Sequence, residues 1–170
     1  RLVEQAEFKS GVRDGHVRTY YDNGRLQHDG WFKRGVEDSL RVSRYADGDI
    51  MERGSYARGH KVGSWHYYYP DSLPMLVEFH SDSTVLLKDA WDSTGAHAVV
   101  DGNGTLRTYF ASGTTREESA YTNGVKDGPF TLYHPAGNPR VKGQYLHGQR
   151  SGAWSYWYSD DKLEKRDGFK

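Results

Sequence analysis

Short runs in which apolar or aromatic residues alternate with polar ones recur along this chain every 24 residues. From Gly128 the pattern reads as a strand over Pro129 to His134, a turn ending at Gly137, a second strand from Arg140 to Tyr145, and a turn through Gly148 to Gly152. Alternation at period two, bounded by Gly, Asn and Asp, predicts strands. Two short strands per period predict a β-hairpin unit rather than a helical one. Glycines keep the same step: Gly11, Gly35 and Gly59, then Gly24 and Gly48, and later Gly113 and Gly137, Gly124 and Gly148, Gly128 and Gly152. A fixed period in the twenties marks an architecture whose units bury their apolar faces only by stacking on neighbours.

Asp22-Asn23-Gly24 and Ala46-Asp47-Gly48 carry the Asn-Gly and Asp-Gly pairs of tight hairpins. Asn123-Gly124, Asp14-Gly15 and Asp127-Gly128 are read as turns between units. Stacking the units aligns four columns. Tyr21, Tyr45, Tyr69, Phe110, His134 and Tyr158 form one, and four residues earlier stand Val17, Arg41, Trp65, Leu106, Phe130 and Trp154. An even separation puts these two on one sheet face. In the second strands, Phe8, Phe32, Tyr56, Tyr121, Tyr145 and Phe169 form a third column, with His80 as its weak member. Leu2, Leu26, Ile50 and Leu163 form the fourth.

The expected fold is all-β: an elongated, single-layer antiparallel sheet of stacked hairpins over one repeat domain, residues 1–170. Residues 1–72 and 104–170 hold regular hairpins. Residues 73–103 read as an irregular longer hairpin, with Met75, Val77 and Phe79 alternating, a turn from Ser81 to Thr84, then Val85, Leu87 and Trp91. It is read as a bend in the array rather than a function-specific insertion. Leu2 and Phe8 already sit one period before Leu26 and Phe32, and Phe169 one period after Tyr145. Both ends are therefore expected to be cut within a unit, the N-terminal part having been removed. Each outer strand could then pair along its edge with the rest of the chain or with a second copy.

Composition narrows the function classes. Lys and Arg number 23, as do Asp and Glu, and no basic stripe stands out, so neither nucleic acid nor a membrane surface is an expected partner. No apolar run is long enough to span a bilayer, and there is no Cys for a disulfide, thiolate site or nucleophile. Aromatic residues at 14%, with 13 Tyr, argue for a folded chain with a thin core of amphipathic rings.

Tyr121-Thr-Asn-Gly-Val-Lys-Asp-Gly128, followed by Tyr133, Gly137, Gly143 and Tyr145, resembles the MORN repeat in its variant form, as do Phe8 to Gly15 and Tyr56 to Gly63. Arrays of such repeats look like the YwqK-type antitoxin family. The resemblance implies a bacterial protein that binds or neutralises another protein and performs no chemistry; its compartment is left open between the cytoplasm and the cell envelope or secretion. Ser39, Ser72 and Asp161 depart from the pattern where Gly is expected, and Arg41 and Arg44 where an apolar or aromatic residue is expected.

No enzyme constellation emerges. The eight His residues show no zinc spacing, and His134 is a ring standing in for a ring. Glu117-Glu118 and Asp160-Asp161, as strand neighbours, would point to opposite faces and converge on nothing. No cofactor or metal is expected. A second aromatic stripe, Tyr20, Tyr68, Tyr109, Tyr133 and Trp157, lies on the face opposite the columns. It either stiffens the sheet or forms an interaction surface, since Tyr and Trp are favoured interface anchors. The function expected is a non-catalytic protein-binding or scaffold module, with antitoxin-like neutralisation of its partner as the narrower form. The alternative is a carbohydrate- or lipid-headgroup-binding module stacking ligands on Trp65, Trp154 or Trp157.

Overall fold

Strand and turn account for every regular element in the computed structural model, which describes residues 2–170; Arg1, at the end read as cut, lies outside them. Two compact units divide the chain at Val85 and Leu86. The first contains β1 (Glu4–Lys9), β2 (Val12–Tyr20), β3 (Leu26–Lys33), β4 (Val36–Arg44), β5 (Ile50–Ala57), β6 (His60–Tyr68) and β7 (Pro74–His80). The second takes in β8 (Val85–Trp91), β9 (His97–Val100), β10 (Asn103–Tyr109), β11 (Thr115–Thr122), β12 (Val125–Tyr133), β13 (Pro139–Leu146), β14 (Gln149–Trp157) and β15 (Leu163–Phe169). Within each unit the strands pair antiparallel in sequence order, one layer thick.

Two kinds of turn alternate. Between repeats the chain reverses in two residues, both with positive φ: Ser10-Gly11 at 51° and 81°, Arg34-Gly35 at 52° and 87°, Asn123-Gly124 at 51° and 84°. That is the type I′ geometry whose twist matches the flanking strands. Within a repeat the loop is one residue longer. Tyr21 N–H donates to the Arg25 carbonyl, and Gly24 N–H donates to the Tyr21 carbonyl, with φ of 82° at Gly24 alone. Asn23 therefore does not share the left-handed conformation; its side-chain oxygen instead accepts from Arg25 N–H at 2.9 Å. Ser72 and Asp161 take the glycine position at φ 64° each, so these departures from the pattern leave the turn unchanged.

Asp14-Gly15 and Asp127-Gly128 are not turns: they lie inside β2 and β12, which start earlier than the alternation suggests. Their positive φ (123° at Gly15, 108° at Gly128) serves a bulge. Glu7 alone faces the segment between Arg13 and Val17, Trp31 that between Glu37 and Arg41, and Ala120 that between Lys126 and Phe130. Ser39, at φ 70°, holds the same place in β4. Each bulge adds residues to one strand and re-aims the side chains that follow it.

Those side chains form the core. Trp65 and Trp154 are fully buried, and Val17 and Phe130 nearly so. Trp154 lies flat against Gly143 and Trp65 against Gly54, where a Cβ would sit inside the indole ring. Edge-to-face rings continue the stack: Tyr56 on Trp65 at 5.1 Å and 85°, Tyr145 on Trp154 at 5.2 Å and 90°, Trp154 on Phe169 at 6.1 Å and 73°. The aliphatic column is weaker, with Leu2 and Leu163 exposed.

The ring column beside it is tied repeat to repeat. The Tyr21 hydroxyl donates to the Arg44 carbonyl at 2.6 Å, and the Tyr45 hydroxyl to the Tyr68 carbonyl at 2.8 Å. His134 makes the same link through Nε2, 3.0 Å from the Trp157 carbonyl, so it does replace a tyrosine. Phe110 has no hydroxyl and breaks the ladder.

The irregular middle adds a buried cluster in the second unit: Leu87, Ala90 and Val99. Here β8 runs past two inter-repeat turns. Gly102 N–H donates to the Lys88 carbonyl, and Leu87 N–H to the Gly124 carbonyl. This covers Gly102 and Gly124, whose counterparts Gly11, Gly35 and Gly148 are exposed.

Gly143→Ala is expected to cost the second unit about 1–3 kcal/mol by forcing Trp154 off the backbone. Gly168→Ala, whose new methyl meets nothing within 4 Å, is expected to change stability by no more than about 0.5 kcal/mol. Urea denaturation of both variants checks this. Ser72→Gly, by contrast, relieves a left-handed non-glycine residue and is expected to add about 0.5–1 kcal/mol on the same assay.

Candidate interaction surface

The two sheet faces have different duties, and the packed one uses up its own charges. A cation five residues after the aromatic residue of the second strand lies over the ring columns. Lys61 Nζ is 3.8 Å from the Trp65 ring centroid, Lys126 Nζ is 4.7 Å from that of Phe130, and the Arg150 guanidinium is 4.3 Å from that of Trp154. Where the partner position holds an acid the cation also pairs with it: Arg13 with Glu4 at 2.7 Å, Lys61 with Glu52 at 3.3 Å, Lys126 with Glu117 at 2.6 Å. One repeat inverts the arrangement. Glu37 takes the cation's place, His28 the acid's, and Arg41 enters the core column to pair with Glu37. Arg41 is thus one half of a compensated exchange.

In the first unit these charges join into a polar chain from β3 to β7. His28 Nδ1 lies 3.2 Å from Arg41 Nη2 and 3.0 Å from Ser43 Oγ, and the fully buried Ser43 donates to Glu52 at 3.0 Å. Lys61 donates to the Tyr67 oxygen at 3.0 Å, Tyr67 donates to Glu78 at 3.1 Å, and His80 closes the chain on Glu78 at 3.0 Å. Burial, then the Arg41 charge, lowers His28 below its ordinary value, while burial and the Glu78 carboxylate push Tyr67 well up. His66, on the opposite face, is lowered by burial and by Arg53. In the second unit burial would raise Glu117, but hydrogen bonds from Lys126 and Ser119 and the nearby lysine and arginine charges hold it below its ordinary value. Apart from the buried Arg41 Nε, which has no hydrogen-bond partner, these groups satisfy one another within the sheet.

The second aromatic stripe lies on the other face, at the ends of the strands that open each hairpin. In the first unit its members are engaged. The Tyr20 hydroxyl reaches Gln5 at 3.4 Å, the Arg53 guanidinium stands 5.7 Å from the Tyr68 ring centroid, and Arg44 fills the position between them. Tyr109, Tyr133 and Trp157 belong to the second unit. Tyr109 is 42% exposed, and Tyr133 and Trp157 are half-buried.

The register supplies what sequence reasoning missed. Arg116 of β11 falls between Tyr109 and Tyr133, and Arg140 of β13 between Tyr133 and Trp157, giving a row of alternating rings and guanidinium groups. Tyr109, Arg116, Tyr133 and Arg140 line one shallow hollow of about 390 Å³. A parallel row runs through Arg107, Glu118, Thr131, Lys142, Ser155 and Arg166. These cations are dispersed in sequence, and pairing assembles them on one face. Elsewhere, Trp31 and Leu40 face each other across a bulge in the first unit at 46% and 59% exposure.

Trp65 and Trp154, named as stacking platforms for a sugar, are fully buried and present no ring to a ligand. Glu117 and Glu118 do point apart, to Lys126 and Arg107. Asp160-Asp161 sits in a turn rather than a strand, where Asp160 accepts from Lys162 N–H and Asp161 from Asn138. Among the described residues no group of three or more His, Asp or Glu is placed to hold a metal ion.

The MORN repeat variant family model matches residues 13–30 and 126–147. Both stretches open at the ring-capping cation, Arg13 or Lys126, and run through one hairpin. Repeats of this family are non-enzymatic modules that bind proteins or membranes. No curated protein matches the chain.

Because His28 and His66 are held below 6.5 in the fold, their contribution is present above that value and lost as pH falls through it. The Glu117 contribution is full above 4.5 and lost only as pH falls towards its lower folded value. Amide exchange measured from about pH 7.5 to about pH 5.5, corrected for intrinsic rates, should show β3–β6 losing protection while β11–β13 hold theirs. His28→Gln/His66→Gln should flatten the first trend.

Proposed function

We propose that the chain is a non-catalytic protein-binding module whose contact surface is the open face of the second aromatic stripe. What carries this reading is the row of Tyr109, Tyr133 and Trp157, which takes no part in the buried ring columns, while Tyr20 and Tyr68 are held by Gln5 and Arg53. Rings presented on a sheet offer large contact area at low entropic cost, the usual make-up of interface anchors. The packed face supports the reading by contrast, since its cations and acids are paired within the sheet.

Neutralisation of a toxic partner, the role that the antitoxin resemblance implies, is the narrower form of this proposal. It requires that the partner arrest growth when expressed alone and that coexpression of this chain relieve it. Of the sugar-stacking alternative, Trp157 is the one platform that burial leaves.

A photo-crosslinking residue placed at position 133 in the native host should capture a discrete protein, and the same residue at position 9 should not. Affinity recovery of that protein should fall at least about tenfold with Tyr109→Ala/Tyr133→Ala/Trp157→Ala, with the far-ultraviolet circular dichroism unchanged. Recovery that the triple variant leaves intact would overturn the assignment of the face. Cross-links confined to glycan or lipid would overturn protein binding itself.

A further inference from the structure

We infer that the open face of the second unit receives an acidic polypeptide segment in extended conformation, with carboxylates three residues apart. This rests on the protein-binding reading above and specifies its partner. The chain as a whole is electrically balanced, yet the loop-end part of this face is not: Arg107, Arg116, Arg140, Lys142 and Arg166 stand against Glu118 and Glu164, while Asp89 and Asp127 lie towards the opposite ends of the strands, each against a histidine. Arg107 is paired with Glu118 at 2.8 Å. Arg116, Arg140, Lys142 and Arg166 are exposed, and among the described residues they take part in no ion pair or side-chain hydrogen bond. On the packed face the corresponding cations are consumed by rings and carboxylates; here they are left for a ligand.

Geometry sets the spacing. Arg116 and Arg140 lie on β11 and β13, two strands apart, so their backbones are about 9.6 Å apart. A polyproline II segment advances about 9.3 Å per three-residue turn and returns every third side chain to the same side. Two acidic residues three positions apart therefore meet Arg116 and Arg140, whose paired N–H groups donate to carboxylates, while Glu164 holds the corresponding place beside Trp157 and ends the run there. The residues between them fall against Tyr109, Tyr133 and Trp157, and proline rings suit such aromatic walls. The segment crosses the strands at their loop ends, where the hollow between Tyr109 and Tyr133 lies. Contact is by side chains, so the sheet keeps its own hydrogen bonds.

The test uses the full chain and a fluorescent peptide of about five Glu-Pro-Pro triplets, followed by anisotropy. Binding is expected, weakening steeply between about 50 mM and about 150 mM salt. Arg116→Gln/Arg140→Gln should lower affinity at least about tenfold, and Lys9→Gln/Lys33→Gln, on the first unit, less than about twofold. A peptide of the same composition with its glutamates in one block should bind at least about fivefold more weakly. No binding of the spaced peptide overturns the inference, as does equal binding of the blocked one or indifference to the arginine pair. Vesicles of about 30% phosphatidylserine, or an oligothymidylate, binding through those arginines while the peptide does not, would overturn it in favour of lipid or nucleic acid. If the peptide fails while the triple ring variant still loses its cross-linked host protein, the acidic-segment inference falls and the protein-binding reading stands.

Discussion

A sheet one layer thick has no opposing layer to bury its side chains, so its rings must be buried against its own backbone. Most domains solve burial by packing one element on another. Here the indoles of Trp65 and Trp154 lie on Gly54 and Gly143, and the neighbouring rings close around them edge-on. The rest follows from this. The glycine must lack a Cβ, the opposing strand must bulge to bring the indole over it, and the bulge needs a residue at positive φ such as Gly63 or Gly152, both at 65°. Nine of the 20 glycines lie within strands, where they serve the core and the strand geometry rather than a turn.

The exposed side of each ring stack creates a second requirement. An aromatic surface facing water is costly to leave bare, and the cation above it covers the ring while keeping its ammonium or guanidinium hydrated at the edge. The acid one strand away then fixes that cation in place, as Glu117 does for Lys126. The repeat containing Arg41 shows that position matters less than pairing. When the core column took an arginine, the capping position became Glu37, and the polarity of the unit reversed without loss of its ion pair. A repeat can drift in sequence so long as charge and volume are conserved between positions that touch.

Much of this was legible in the sequence, and the parts that were not share a cause. The 24-residue period, the two strands per unit, the ring columns and the role of His134 all follow from spacing alone. What spacing could not supply was the register between strands. Asp14-Gly15 and Asp127-Gly128 look like turn dipeptides, and nothing local distinguishes a glycine that turns the chain from one that bulges it. The alternation therefore places the starts of β2 and β12 too late. The stripe of Tyr109, Tyr133 and Trp157 was visible because its members repeat at the array's own period. Arg116 and Arg140 belong to the second strands, and their place between those rings depends on counting through each hairpin loop and its bulge.

That difference bears on how a repeat array acquires a specific function without a pocket. Positions that serve the stack are constrained in every unit, since a misfit ring disturbs the units on either side. On the other face the same strands present residues the stack does not need, and these can differ from unit to unit. In the first unit that face spends its charges internally: Asp29 lies against His16 and Arg18, and Arg53 lies over Tyr68. In the second, the acid equivalent to Asp29 is absent from the rows of β13 and β15, where Lys142 and Arg166 stand instead. The strands beside them offer only Thr131 and Ser155, so these two cations have no acid opposite them, two strands apart at a spacing fixed by the sheet. A surface with a regular ruler of charge follows from stacking alone, and substitutions at a few positions per repeat set which partner can read it.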